Sequence, residues 1–185
     1  KQTYGKDSYA ENDRYVISSA IGHLLEIEPP EGFEPARGKW KLENLPSMPE
    51  RFALAPKDKT LARLKLLRHL IKRKDVTEII NACDAGREGE LIFRNLIADT
   101  GCTKPLRRLW LQSMTPAAIR DGFAHLRSDE QMRPLADAAV SRSESDWLVG
   151  INATRALTAF NTRLVGGFQK TTAGRVQTPT LAILV

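Results

Sequence analysis

The sequence predicts an α/β fold: a doubly wound parallel sheet followed by a mainly helical segment. Three observations carry that expectation. An apolar stretch (Val76, Ile79, Ile80, Ala82, Cys83) reads as a buried strand of a parallel sheet. It runs into a glycine-flanked acidic turn and then a helical pattern with Leu91, Ile92 and Leu96 on one side. A second strand-like stretch at 106–111 is again followed by a helical pattern, and such alternation implies parallel strands joined by crossover helices.

Taken in order, residues 1–15 are polar and read as loose. Tyr15 to Ala20 form a short strand leading into a turn at Gly22-His23. Residues 28–50 hold Pro29, Pro30, Gly32, Pro35, Gly38, Pro46 and Pro49 and read as a long irregular connection, with a short strand at Trp40 and Leu42. Asp58 or Thr60 caps a helix that runs to about Lys74 and turns Leu61, Leu64, Leu67 and Ile71 inward. The strand at 76–83 and a helix from about 87 to 99 follow, then the strand at 106–111. Thr115-Pro116 is a helix start, with Thr at the N-cap and Pro at the first position. Ile119, Phe123 and Leu126 share one face of that helix. The character changes near Ser128. Residues 133–160 read as helix, with Ala136, Val140, Trp147, Ile151 and Leu157 on the buried side. A domain boundary near 130 is expected, with 1–130 as the α/β domain and 131–185 as the start of a helical one.

Composition limits the classes of protein this can be. A hydrophobic fraction of 42% and a charged fraction of 27% in 185 residues fit an ordinary globular chain. No run is long enough to span a membrane. The start, Lys1-Gln2-Thr3-Tyr4-Gly5-Lys6, has no apolar core, so no signal peptide is expected. Cys83 and Cys102 carry no metal-ligand spacing, and reduced thiols in a cytoplasmic protein are the expectation. The net charge is +6, and residues 57–74 alone hold eight basic side chains against one acid, Asp58. Residues 151–185 contain no acid and include Arg155, Arg163, Lys170 and Arg175. Basic zones of this kind suit a phosphate backbone. For 57–74 the solvated face of an amphipathic helix is an equal alternative.

The most informative residues are Asp84-Ala85-Gly86-Arg87-Glu88-Gly89-Glu90. They lie where a strand ends and a helix begins, the crevice in which open α/β sheets bind ligands. Carboxylates crowded there repel one another unless a cation joins them, and such hard oxygen ligands suit Mg2+ bridged to phosphate. Acids in a first helical turn are also what the macrodipole favours, and Asp84 as a bare N-cap is the plain alternative. The flanking glycines, which permit close approach, and Arg87, which suits a phosphate, weigh toward a metal and phosphate site.

Residues 81–92, Asn-Ala-Cys-Asp-Ala-Gly-Arg-Glu-Gly-Glu-Leu-Ile, resemble the metal-binding motif of the Toprim domain in type IA DNA topoisomerases, in the form of the topoisomerase III-like subgroup. Ser19-Ala20-Ile21-Gly22-His23-Leu24-Leu25-Glu26 resembles the family's G-H-L segment. Residues 141–150, which include Arg142, Asp146 and Trp147, resemble an R-x-x-x-D-W/R-L-x-G helix of its single-strand-binding domain. Ala173-Gly174-Arg175-Val176-Gln177-Thr178-Pro179 resembles the A-G-R-V-Q-T/S-P motif of that same domain. These four motifs stand in the family's order.

The resemblance implies a Toprim-type domain over 1–130 whose first strand, carrying a catalytic Glu, has no counterpart in residues 1–14. It implies the beginning of the single-strand-binding domain over 131–185. The implied reaction is a change of DNA topology without ATP, by transient single-strand cleavage and religation through a tyrosyl–DNA bond. Tyr4, Tyr9 and Tyr15 match no nucleophile motif, so the chain is expected to be a fragment, inactive alone. Asp84 and Glu88 become the Mg2+ ligands, with Gly86 standing where many members have a third acid. Glu88, His23 and Arg142 become the catalytic group, and Arg87, Asp146, Thr172, Gly174, Arg175 and Gln177 the DNA contacts. Glu90, in the first helical turn, is expected to face solvent. Single-stranded DNA and negatively supercoiled or linked duplex DNA are the implied partners of a monomeric, cytoplasmic, nucleoid-associated enzyme. A non-catalytic single-stranded DNA-binding module and another Toprim enzyme are the alternatives.

Overall fold

The computed structural model describes residues 9–33 and 40–185, apart from the side chain of Phe33. Its elements are β1 (Ala10–Glu11), β2 (Val16–Ile17), β3 (Leu25–Ile27), α1 (Pro30–Phe33), β4 (Leu54–Pro56), α2 (Leu61–Lys72), β5 (Ile79–Asn81) and α3 (Arg87–Thr100). There follow β6 (Leu106–Arg108), α4 (Pro116–Ala124), β7 (Arg127–Ser128), α5 (Asp129–Val165) and α6 (Gln177–Leu184). The architecture is mixed α/β followed by a helical segment, as the sequence predicts. Among the described residues the strands form three small sheets rather than one. β1 and β2 make an antiparallel hairpin, and β3 lies beside β4. In the third sheet β5 runs parallel to β6 and β6 antiparallel to β7. The parallel pair is the one joined by the crossover helix α3, the connection that parallel strands require.

The chain divides into two compact units. The first comprises residues up to Glu26 together with Leu54–Val140; the second comprises Ile27–Ala53 and Ser141–Val185.

The core of the first unit is Leu24, Leu25, Leu64, Leu67, Ile71 and Leu96, with Ala20, Leu54, Ile79 and Cys102 packed on it. Helix α2 supplies three of these because Leu64, Leu67 and Ile71 recur at helical spacing. Its basic face is not wholly solvated: Arg63 is 5% exposed and donates to the Ser18 hydroxyl at 3.1 Å. Arg68 makes a two-pronged contact with Asp99 of α3, at 2.7 and 2.5 Å. Helix α3 ends at Gly101 in the left-handed region (φ 60°), as helices commonly do. Thr115 caps α4 by accepting from the Ala118 amide at 3.3 Å. A reciprocal pair opens α5: the Gln131 amide donates to the Ser128 hydroxyl at 3.4 Å and the Ser128 amide to Gln131 Oε1 at 2.9 Å.

In the second unit, α5 carries the residues that organise the surrounding chain. Asn152 brackets Ser47, accepting from its amide at 2.6 Å and donating to its carbonyl at 3.0 Å. Arg155 is 2% exposed and pairs with Glu31 at 2.6 Å. Trp147 meets Phe52 edge-on with ring centroids 5.8 Å apart.

Several local expectations are corrected. Ala10–Glu11, read as loose, pairs with Val16–Ile17. Trp40 and Leu42 form no strand; Leu42–Asn44 is a 3-10 turn. The strand expected over 76–83 is regular only at Ile79–Asn81. Leu157 is 41% exposed, while Arg155 and Thr158 take the buried side of α5.

Candidate functional site

The first constellation is built where β5 gives way to α3. The buried side chain of Asn81 ends the strand, and its Oδ1 accepts from the Cys83 amide at 3.0 Å, folding the chain into a tight turn. Asp84 is exposed at that turn, and Arg87 and Glu88 open α3, both exposed. Gly89 makes this arrangement possible. A Cβ there would overlap the backbone carbonyl oxygen of Asp84 and stand 2.9 Å from its amide nitrogen, so only glycine lets the helix start against the acidic turn.

His23 enters from the other side. Gly22 has φ of 92°, a left-handed conformation that glycine adopts without strain, and Leu24 and Leu25 anchor the following segment at 3% and 2% exposure. Between them His23 reaches across to Glu88, its Nε2 lying 3.1 Å from Oε2. The two residues are 65 positions apart in sequence.

Beneath the turn lies a buried polar network that the sequence analysis did not anticipate. Arg108, 1% exposed, donates to the Asn81 carbonyl (3.1 Å), Asn81 Oδ1 (2.9 Å), the Cys83 carbonyl (2.7 Å) and the Asp84 carbonyl (2.6 Å). Glu90 completes it and does not face solvent as expected. It is 1% exposed, accepts from Asn81 Nδ2 at 3.1 Å and Arg94 Nε at 2.8 Å, and lies 3.6 Å from Arg108 Nε. Arg94 in turn reaches Asp129 at 2.6 Å. Burial lowers the Arg108 pKa, and the nearby Glu90 carboxylate works against that shift. Burial also raises the pKa of the Cys83 thiol beside it. The one signal for Arg108 was its position. In β6, Arg107 faces outward, and the residue after it falls on the inward face.

The acidic turn fits a hard divalent cation in part. Mg2+ takes one or two carboxylates and completes its shell with water and substrate phosphate. Asp84 and Glu88 are two exposed carboxylates of that kind. Among the described residues no group of three or more His, Cys, Asp and Glu converges as a closed metal cage.

The second constellation lies in the other unit. Asp146 of α5 receives Arg175 Nε at 2.6 Å and has Arg142 Nε at 3.5 Å. The Arg175 guanidinium beside it, donating a hydrogen bond, holds the Asp146 carboxyl below its usual range. The two stretches at 141–150 and 173–181 therefore meet at one carboxylate. Residues 171–173 lie against α5, with Thr172 exposed and its neighbours half-buried. Gly174 and Thr178 close the turn that opens α6, the Gly174 amide donating to the Thr178 hydroxyl at 3.0 Å. Gln177 Nε2 lies 3.5 Å from the Thr172 hydroxyl.

Trp110 and Trp147 are both half-buried. Trp110 has the Arg108 guanidinium 5.2 Å and the Arg127 guanidinium 4.5 Å from its ring centre, a cation–π pair rather than an open stacking face.

A family model described as DNA topoisomerase matches residues 130–185. DNA topoisomerase 3 of Bacillus licheniformis is 46% identical over 179 residues, which is 96% of this chain and 24% of that protein. The proteins of the same name from Bacillus subtilis and Bacillus anthracis are 45% and 44% identical over the same length. Over 96% of its length the chain is topoisomerase III-like, similar to type IA DNA topoisomerases, and it spans about a quarter of the length of the curated relatives it matches.

Proposed function

We propose that this chain supplies the metal-binding and strand-guiding part of an enzyme that changes DNA topology by transient single-strand cleavage and religation through a tyrosyl–DNA bond. The observation that carries the reading is the meeting of His23 with Glu88 beside Asp84, on the turn between β5 and α3. The α/β unit is read as Toprim-type, and its two exposed carboxylates, Asp84 and Glu88, as the holders of Mg2+. When bound, Mg2+ would neutralise a DNA phosphate and offset charge developing on the leaving oxygen. His23 orients the Glu88 carboxylate through its Nε2 contact, beside the place where a phosphate oxygen would approach. Arg87, exposed on the first turn of α3, adds a guanidinium suited to a phosphate.

Residues 131–185 are read as the start of a single-strand-binding domain, with the division near residue 130. Arg142 and Asp146 on α5 orient the strand, and Thr172, Gly174, Arg175 and Gln177 contact it. The acid-free stretch from 151 to 185 supports this reading, because backbone contacts dominate nucleic-acid affinity. Partners would be single-stranded DNA and negatively supercoiled or linked duplex DNA, with the protein a monomer in the cytoplasm near the nucleoid. No described helix is long and apolar enough to cross a membrane.

The test is binding of a fluorescent single-stranded oligonucleotide against a duplex of equal length, with and without Mg2+, over a salt series. Tighter binding to the single strand, strengthened by Mg2+ and weakened by Arg175→Ala, is expected. A single-strand preference indifferent to Mg2+ and to Asp84→Asn would favour a non-catalytic binding module. No preference for either form would sink both readings.

A further inference from the structure

The segment before α6 is held to α5 through threonine hydroxyls. The Thr171 amide donates to the Thr158 hydroxyl at 2.9 Å, and that hydroxyl lies 3.4 Å from the Thr171 carbonyl. One turn earlier the Ala173 amide donates to the Thr154 hydroxyl at 3.1 Å, and that hydroxyl donates to the Ala173 carbonyl at 3.1 Å. Each threonine thus serves both backbone groups of one residue, as a neighbouring strand residue would. Threonines within helices commonly bond back to the carbonyl four residues earlier; these two turn outward to another segment instead.

The spacing explains why two suffice. Residues four apart on a helix share a face and are separated by about 6 Å along its axis. Alternate residues of an extended chain are about 6.6 Å apart. Thr154 and Thr158 therefore match Ala173 and Thr171 in antiparallel order with little mismatch. Asn161 Nδ2 extends the row by donating to the Thr171 hydroxyl at 2.6 Å. Thr158 is 0% exposed, so its hydroxyl has no solvent to fall back on. The period of two then turns Thr172 outward, between two docked neighbours.

We propose that Thr154 and Thr158 are positioning residues: their hydroxyls dock 171–173 on α5 as a surrogate strand and so set the approach of Thr172, Arg175 and Gln177 to a single DNA strand. The docking stands on the hydrogen bonds alone; its consequence for DNA rests on the strand-binding reading above. The hydroxyls themselves touch no DNA. Their role is to keep the chain straight and in register where it emerges toward Gly174.

The test uses the full chain with Thr154→Val, Thr158→Val and Thr158→Ser. Valine keeps the shape and removes the hydroxyl; serine keeps the hydroxyl, which guards against reading a packing defect as a lost hydrogen bond. Two quantities are measured: amide hydrogen exchange at Thr171 and Ala173, and affinity for a fluorescent single-stranded oligonucleotide. Each valine variant should speed exchange at its own partner amide and weaken oligonucleotide binding by about 2- to 10-fold, the span of one net hydrogen bond. Thr158→Ser should restore both, and the salt dependence should keep the wild-type slope because no charge is lost. Unchanged exchange in the valine variants overturns the proposal. Faster exchange with unchanged affinity, while Arg175→Ala still weakens binding, also overturns it and leaves the strand-binding reading standing. If Arg175→Ala is itself without effect, the strand-binding reading falls and the positioning role falls with it.

Discussion

Three side chains decide the local chemistry, and only one of them was legible. Asp84 and its neighbours could be read because a strand, an acidic turn and a helix leave a pattern in sequence. Arg108 could not, because its importance comes from carbonyl groups 24 to 27 residues earlier, which no local pattern reports. Glu90 misled for the same reason: position in a first helical turn says acid, and only tertiary contact says buried acid. Replacing Arg108 with Leu removes the donors to three backbone carbonyls and a cation beside buried Glu90. A loss of about 3 kcal/mol or more is expected, since removing one partner leaves buried polar groups unsatisfied. Urea unfolding of Arg108→Leu against wild type measures it, and an unchanged midpoint would refute the network's role. Gly89→Ala should cost about 1 to 3 kcal/mol by overpacking against Asp84 and should also weaken Mg2+ binding, read by isothermal titration. At Asp146 the expectation is opposite in sign. Asp146→Asn leaves Arg142 and Arg175 without their shared counter-charge. Oligonucleotide affinity at low salt should rise, with a salt slope steeper by about one. A fall in affinity would mean that the carboxylate is needed to aim Arg175.

The elements vary in how plainly they announced themselves. The long helix α5 and the amphipathic α2 were readable because apolar residues recur over several turns. Of the hairpin, β2 lies inside the strand expected at Tyr15–Ala20, but β1 was not readable, since two-residue strands carry no period. That hairpin is tied down through Arg73, which pairs with Glu11 and with Asp75 at 2.6 Å. Lys104 Nζ caps the adjoining end of α2, donating to the Ile71 and Arg73 carbonyls at 2.6 Å each. The hydrogen bond from Arg73 lowers the Asp75 pKa from an ordinary 3.8 to about 2, and the same guanidinium lowers that of Glu11. A folded-state pKa below the unfolded one contributes stability that is complete above the unfolded value and is lost as pH falls through the folded one. The tie should therefore hold at neutral pH and weaken between about pH 4 and 2. Asp75→Asn should flatten that part of a plot of melting temperature against pH. A profile identical to wild type would show that the fork contributes nothing, as many exposed ion pairs do.

At the scale of the whole molecule, the fold class followed from alternation, but the number of sheets did not. Strands of two and three residues pair by tertiary position, and their sequences do not say with whom. The four family-like stretches were legible as short strings, and they sort cleanly: two fall in the first unit and two in the second. The two constellations should accordingly respond to different reagents. Asp84→Asn should abolish the Mg2+ dependence of strand binding and spare its salt dependence, while Arg175→Ala should lower the salt slope by about one and spare the Mg2+ dependence. Loss of both in either variant would show that the constellations act as one.

The buried arginine of β6 also sets an order of events. The Asp84 carbonyl is held by a side chain that lies 24 residues further along the chain. During synthesis the acidic turn therefore emerges well before the group that fixes it, and must wait for β6 to arrive. A ribosome-bound chain ending before residue 108 would display the acids without their geometry.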